Sequence, residues 1–157
     1  MKLEDRGMYQ AYYESEIGLL EITANDEGIT SVIFVEERKE ENTSKIVEQC
    51  LAELDQYFHQ KRTEFTVPLS ATGTLFQKSV WDALYTIPYG VSASYLDIAE
   101  KVGNTKAVRA IGGANSRNPI SIIVPCHRVI GKSGKLVGYA GGLWRKEWLL
   151  KHEGILK

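Results

Sequence analysis

The stretch Ser94-Tyr95-Leu96-Asp97-Ile98-Ala99-Glu100-Lys101-Val102-Gly103-Asn104-Thr105-Lys106-Ala107-Val108-Arg109-Ala110-Ile111-Gly112-Gly113-Ala114-Asn115 decides the fold. Ser94 stands three residues before Asp97. That spacing resembles a capping box, in which two side chains reciprocally satisfy backbone N–H groups at a helix start. It predicts a short helix reaching about Val102. Gly103 stops it, Asn104 or Thr105 is placed to cap a second helix, and this one runs to about Asn115. Two short helices joined by so tight a turn are the signature of a helix-turn-helix.

Downstream, the apolar residues 120–124 are expected to be extended, and residues 129–137 read as a hairpin around Lys132-Ser133-Gly134-Lys135. A last helix is expected over residues 143–151, after Gly141-Gly142. Upstream, Thr74 opens a helical pattern through Phe76, Val80, Trp81 and Leu84 that ends before the turn Pro88-Tyr89-Gly90. A helix-turn-helix followed by a hairpin is the element order of a winged-helix domain. Residues 1–70 differ in kind. Residues 8–15, 17–24 and 29–35 are rich in aromatic and β-branched residues and read as strands, with Asn25-Asp26-Glu27-Gly28 as the turn before the third. A helix follows over residues 43–59, where Ile46, Val47, Cys50, Leu51, Leu54, Tyr57 and Phe58 recur at spacings of three and four. Cys50 on that apolar face is expected to be a buried packing residue. Residues 66–73 read as the linker between modules. The chain is thus expected to be α+β, with a small N-terminal sheet-and-helix domain over residues 1–70 and a C-terminal winged-helix (helix-turn-helix) domain over residues 71–157.

A hydrophobic share of 43% and a charged share of 25% suit a globular protein able to bury a core. No run of about 18 apolar residues exists, which argues against a membrane partner. Residues 1–10 are charged and lack the apolar stretch of a secretory leader, so a cytoplasmic location is expected. In a reducing compartment Cys50 and Cys126 are expected to stay unpaired. The net charge of −1 conceals a split. Residues 1–70 hold 7 Lys and Arg against 15 Asp and Glu, a net of −8, whereas residues 71–157 hold 12 against 5, a net of +7. The basic half is the candidate for a polyanionic partner; the alternative is that the halves pair with each other.

The chemistry concentrates in Ile122-Ile123-Val124-Pro125-Cys126-His127-Arg128-Val129. Proline fixes φ and ends ladder hydrogen bonding after the apolar run. The thiolate is the nucleophilic form of cysteine, and a free thiol is mostly protonated at neutral pH. A histidine oriented by a carboxylate can take that proton directly or through a water. Adjacency alone does not establish this, because neighbouring side chains usually point apart, and a cysteine simply buried in the core is the alternative. A metal site is not supported: His59, His127, His152 and the two cysteines form no CxxC or HxxxH pair. No cofactor is expected.

Pro125-Cys126-His127-Arg128-Val129 resembles the active-site signature of the O6-alkylguanine-DNA alkyltransferases, also called methylated-DNA–protein-cysteine methyltransferases. The likeness extends over residues 72–157. It takes in Ile87-Pro88-Tyr89-Gly90, Ser94-Tyr95, the run from Asn104 to Gly113, Asn118-Pro119, Gly138-Tyr139-Ala140-Gly141-Gly142 and the stretch from Arg145 to Gly154. It implies that residues 1–70 form the family's ribonuclease-H-like domain. It also implies a single-turnover reaction in which the alkyl group of O6-alkylguanine in double-stranded DNA passes irreversibly to Cys126, with activity on O4-alkylthymine left open. In that scheme His127 acts as base through a bridging water, Glu153 orients His127, and Asn118 ties the recognition helix to the active-site loop. The alternatives are an ordinary surface charge for Glu153 and a simple turn for Asn118-Pro119.

A duplex hides the damaged base, which must be flipped out. By the resemblance, Arg109 is the finger that fills the vacated stack, and Tyr95 crowds the 3′ phosphate. Ala110, Gly112 and Gly113 keep the helix slim for a minor groove. Arg117 and Arg128 are counted with them as DNA contacts. The alternatives are a phosphate contact for Arg109 and tight helix packing for the small residues. The flipped base would be read by the Tyr139 hydroxyl at N3 and the Ala140 amide at O6, with the Cys126 and Val129 carbonyls accepting from the exocyclic amine. Asn115 completes the expected alkylguanine pocket. Asn115 and Ala140 are positions where the family varies, which leaves the tolerated alkyl size open. A monomer is expected. A lesion sensor of the alkyltransferase-like kind would look similar but lacks the cysteine, so Cys126 discriminates. A Cys-His hydrolase would turn over esters or amides, and a winged-helix regulator would prefer one DNA sequence.

Overall fold

Three short β-rich segments build a sheet in this protein, whose computed structural model describes residues 7–131, 136 and 138–157. Strands β1 (Tyr9–Ser15), β2 (Gly18–Ala24) and β3 (Ile29–Val35) pair antiparallel in that order. Ile22 stands opposite Ala11 on one side and Val32 on the other. Leu20, Ile22 and Ala24 alternate into the core, as a strand with one buried face requires. Helix α1 (Lys45–Phe58) begins behind Ser44, whose hydroxyl accepts from the Val47 N–H. It packs on β1 and β2, burying Val47, Cys50, Leu54 and Tyr57. Cys50 is the buried packing residue expected. Burial, with the nearby Glu53 charge, pushes its thiol up to about 12, which leaves it inert at neutral pH.

Residues 66–73 are more than a linker. Glu53 accepts from the Thr66 N–H at 2.9 Å, the Thr66 hydroxyl at 2.7 Å and the Val67 N–H at 3.1 Å. The Ile29 N–H donates to Pro68 at 2.8 Å, and the Ser70 N–H to Ile29 at 2.7 Å. The segment is therefore stitched between α1 and the start of β3, and the chain divides into two compact units only between Thr72 and Gly73. A glutamate on the inner side of α1 is what a hydrophobicity pattern cannot anticipate. Burial raises its carboxyl, but a bond from the Gln49 amide at 3.0 Å together with these hydrogen bonds outweighs burial and holds it below its ordinary value.

The second unit opens on a capping box between Thr74 and Gln77. Helices α2 (Leu75–Tyr85), α3 (Tyr95–Lys101) and α4 (Val108–Ser116) pack on one another around Val80, Leu84, Ile98 and Ile111. The Trp81 indole N–H donates to the Ala114 carbonyl at 2.9 Å, which fixes α2 to the end of α4. The Ser94–Asp97 box forms as read, at 2.8 and 3.0 Å. The second helix of the helix-turn-helix starts later than expected. Asn104 accepts from the Lys106 N–H through its side chain and from the Ala107 N–H through its carbonyl. Residues 104–107 thus form a turn, and α4 begins behind Ala107 without a side-chain cap.

Residues 120–124 correct a second expectation. They fold into tight turns rather than a strand: Ile123 donates to Ser121 at 2.8 Å and Val124 to Ile120 at 3.1 Å, with Ile122 at φ +72°. A β-branched residue there is strained, so the surroundings must impose it. After a 3-10 turn at Cys126–Arg128, Val129 meets Ala93 in a short parallel bridge. The hairpin expected over residues 129–137 lies largely outside the described residues. Helix α5 (Leu143–His152) starts after Gly142, where φ is +94°, and packs on the 3-10 turn. The architecture is α+β. No helix among the described residues is long and apolar enough to cross a membrane.

Candidate active site

Asn118, just past the end of α4, organises the loop that carries the cysteine. Its side-chain amide donates to the Val124 carbonyl at 2.8 Å and the Ile120 carbonyl at 3.2 Å, and its oxygen accepts from the Ile120 N–H at 3.0 Å. These bonds satisfy backbone groups that a strand would have paired, and they hold Ile122 in its strained conformation. The loop delivers Cys126 to the first position of the 3-10 turn, 5% exposed. Burial pushes its thiol up; the Asn118 amide beside the sulfur and the Lys146 ammonium pull it back. The net shift is upward, so the thiol needs a base to become a nucleophile.

That base is in place. Within the 3-10 turn His127 does not point away from the protein: it is fully buried, and its Nε2 lies 2.7 Å from Glu153 Oε2. Glu153 is not the surface charge its place in the sequence suggests. It stands at the end of α5, buried, and it also accepts from Arg128 Nε at 2.7 Å and Arg128 Nη2 at 3.1 Å. Burial alone would raise the Glu153 carboxyl, but His127 and Arg128 together hold it far below the usual carboxylate range. Burial lowers the His127 imidazole below its ordinary value against the pull of Glu153. The ring is therefore neutral, and an ionised Glu153 takes the Nε2–H. Nδ1 is left as the acceptor, with no hydrogen-bond partner among the described residues.

Arg128 requires a correction. It was expected to contact DNA, but it is buried, gives its Nε and Nη2 to Glu153 and its Nη1 to the Ile87 carbonyl at 2.5 Å, and lies over the Tyr89 ring. With the Gly90 N–H reaching Glu153 at 3.5 Å, the Ile87-Pro88-Tyr89-Gly90 turn is bound to the same carboxylate. A buried anion and cation so paired form a structural hub.

Lys146 was missed by the sequence reading. It is fully buried on α5, and its ammonium donates to the Val129 carbonyl at 2.5 Å. Burial brings it down to about 8, opposed by Cys126. Its position three and four residues before the buried Leu149 and Leu150 places it on the core stripe of α5, which is the signal that could have found it. The Val129 carbonyl expected to accept from a base thus already has one donor and keeps its second lone pair.

Tyr139 is buried with its hydroxyl unpartnered among the described residues; Ser121 lies nearby, outside hydrogen-bonding geometry. Burial, and then the charge of Cys126, raise that hydroxyl, so it is a donor at any physiological pH. Asn115 is buried on α4, and Ala140 is exposed. Arg109, Ala110 and Arg117 are exposed, and Gly112, Gly113 and Tyr95 half-buried. A Cβ added at Gly113 would meet nothing within 4 Å, and one at Gly112 only the Tyr95 ring at 3.9 Å. Tight internal packing therefore does not explain these glycines; they thin the outer face of α4. Among the described residues no group of three His, Cys, Asp or Glu is placed to hold a metal ion.

A helix-turn-helix unit carrying a buried cysteine next to a carboxylate-oriented histidine defines a nucleophilic-cysteine protein on a DNA-binding scaffold. Residues 75–155 match the family described as 6-O-methylguanine DNA methyltransferase, DNA binding domain, and residues 8–71 match its ribonuclease-like domain. A methylated-DNA–protein-cysteine methyltransferase of Methanosarcina acetivorans is 48% identical over 155 residues, 94% of this chain and 99% of the relative. One from Mycobacterium leprae is 59% identical over 105 residues, 67% of this chain and 64% of the relative. The crystal structure of the Mycobacterium tuberculosis O6-methylguanine methyltransferase is similar at a TM-score of 0.84 and 43% identity, covering 93% of this chain and 92% of that one. A structure of that organism's OGT in complex with DNA gives 0.83 and 44%, with 90% of each chain covered. The chain belongs to the O6-methylguanine DNA methyltransferase family.

Proposed function

We propose that this protein repairs DNA by direct reversal: it takes the alkyl group from O6-alkylguanine in duplex DNA onto Cys126 and is consumed in doing so. The observation that carries this is the 2.7 Å contact of a buried, neutral His127 with an ionised Glu153, which leaves Nδ1 as a base next in sequence to a buried thiol. His127 draws the thiol proton through a water, and Glu153 stabilises the imidazolium that forms. The thiolate attacks the alkyl carbon. The C–S bond forms, the C–O6 bond breaks, and its electron pair stays with guanine. Guanine takes up one proton, which balances the one released from Cys126. The Tyr139 hydroxyl donates to guanine N3 and the Ala140 amide to O6, where charge develops. The thioether has no route back, so one molecule repairs one lesion. Asn118 acts by positioning the loop.

Residues 71–157 make the DNA contact as well as the chemistry, and residues 1–70 form the ribonuclease-H-like domain. The thin outer face of α4 enters the minor groove, Arg109 fills the space left by the flipped base, Tyr95 crowds the neighbouring phosphate, and Arg117 adds a backbone contact. The protein works as a monomer in the cytoplasm. The test is to incubate it with duplex DNA carrying O6-methylguanine and weigh the cysteine peptides. One added methyl on Cys126 is expected; an unmodified Cys126, or label on Cys50, overturns the assignment.

A further inference from the structure

Three side-chain atoms of the C-terminal unit are buried without a hydrogen-bond partner among the described residues: His127 Nδ1, the Tyr139 hydroxyl and Asn115 Oδ1. The proposed reaction uses the first two and leaves Asn115 unexplained. Its residue is 2% exposed. Buried polar groups in native proteins nearly always find a partner, because an unbonded one forfeits its hydration.

Neighbours on α4 define what Asn115 faces. Gly112, Asn115 and Asn118 are three apart, so they share one side of the helix end. At one end of this row a Cβ on Gly112 would sit 3.9 Å from the Tyr95 ring. At the other, the Asn118 amide donates to the carbonyl of Val124, two residues before Cys126, at 2.8 Å. The Asn118 N–H also donates back to the Asn115 carbonyl at 3.3 Å, so Asn115 is bonded directly to the residue that fixes the cysteine loop. Asn115 stands between them, one turn from the side chain that holds the cysteine loop.

On the reading that Cys126 is the alkyl acceptor, we propose that Asn115 hydrogen-bonds the transferred substituent itself. The site then takes O6 groups ending in a hydroxyl, such as 2-hydroxyethyl, in preference to hydrocarbon groups of the same size. The substituent's hydroxyl donates to Oδ1 while its first carbon passes from O6 to sulfur; the bonds broken and formed are those of methyl transfer. Turning the amide over would present its NH2 to the hydroxyl oxygen instead, so the preference holds in either orientation.

Duplexes carrying O6-(2-hydroxyethyl)guanine or O6-(n-propyl)guanine, matched in heavy atoms, test this under single-turnover conditions. Wild-type protein should react with the hydroxyethyl duplex about tenfold faster, the rate equivalent of one neutral hydrogen bond to an otherwise unpaired buried group. Asn115→Leu should abolish or invert the preference, and Asn115→Met serves the same comparison if the Leu variant does not fold. Taking the ratio within each protein cancels any general loss of activity. A wild-type ratio near one, or a preference that survives the substitution, overturns the assignment. An O6-methylguanine duplex run alongside separates the two ideas: absence of methyl on Cys126 defeats the reaction itself, whereas methyl transfer without hydroxyl preference defeats only the role of Asn115.

Discussion

Replacing Glu153 by Gln perturbs the active site and the fold through the same atoms, and the two effects can be pulled apart. The Glu153 side chain is 0% exposed and the Arg128 side chain 6%. Two carboxylate oxygens receive three close donors, His127 Nε2, Arg128 Nε and Arg128 Nη2, at 2.7, 2.7 and 3.1 Å. A glutamine keeps one acceptor oxygen and turns an NH2 toward the other donors, so at least one N–H faces an N–H. Arg128 is then a buried cation that keeps its bond to the Ile87 carbonyl but has lost its counter-charge. Removing one partner of such a pair costs about 3–5 kcal/mol, which urea denaturation followed by fluorescence would read as a lower midpoint. His127 also loses the acceptor that fixes its tautomer, and alkyl transfer should fall by roughly 10²–10⁴. Glu153→Gln combined with Arg128→Met removes the stranded charge. The double variant should recover most of the stability while its transfer rate stays low. A single variant that loses less than about 1 kcal/mol, or a double variant whose activity returns with its stability, would refute the division of labour between Arg128 and His127.

Cys126→Ser should eliminate transfer while lesion binding persists in a gel-shift titration, whereas Cys50→Ser should retain transfer and lose about 1–3 kcal/mol in a urea melt, because it places a hydroxyl in the apolar side of α1. Arg109→Ala should slow repair of duplex DNA far more than reaction with free O6-benzylguanine, which needs no flipping; equal losses in the two rates would place Arg109 in the fold or the chemistry. Acid should destabilise the protein in two windows. The folded pKa of His127 lies below 6.5, so the unfolded chain binds the extra proton and stability falls as pH drops below about 6.5; Glu153, also depressed, contributes stability that is complete above 4.5 and lost as pH falls from there toward its folded value. Melting temperatures between pH 8 and 4 that stay level would contradict both directions.

The periodic elements were legible because their signals are local. The alternation of β2, the three-and-four spacing of α1, and the Thr74 and Ser94 caps each involve residues within one turn or one strand, and each predicted its element to within a residue or two. Two failures share a cause. Residues 120–124 look like a strand because Ile120, Ile122, Ile123 and Val124 are all apolar and β-branched. Their backbone is instead bonded by Asn118, and one side chain satisfying three backbone groups overrides propensity. At residues 104–107 the Asn104 side chain likewise closes a turn where a helix cap was expected. Asparagine can act either way, and tertiary contacts select between them.

Charged residues were the least legible, because a sequence does not say whether a charge faces in or out. Arg128, Lys146 and Glu153 all turn inward, and burial of each is tolerable only because the others and the neighbouring carbonyls are there to receive it. Arg128 neutralises Glu153, the ionised Glu153 orients a neutral His127, and Lys146 gives its donor to Val129 while facing the charge that Cys126 acquires. The three buried groups carry a net of +1, so setting them aside lowers the charge of residues 71–157 only from +7 to +6. The attraction to DNA inferred from the charge split therefore does not depend on the arginine that turned out to be internal. It should appear as affinity for undamaged duplex that falls as salt rises, and Arg128→Met should leave the slope of that dependence unchanged while Arg109→Ala reduces it.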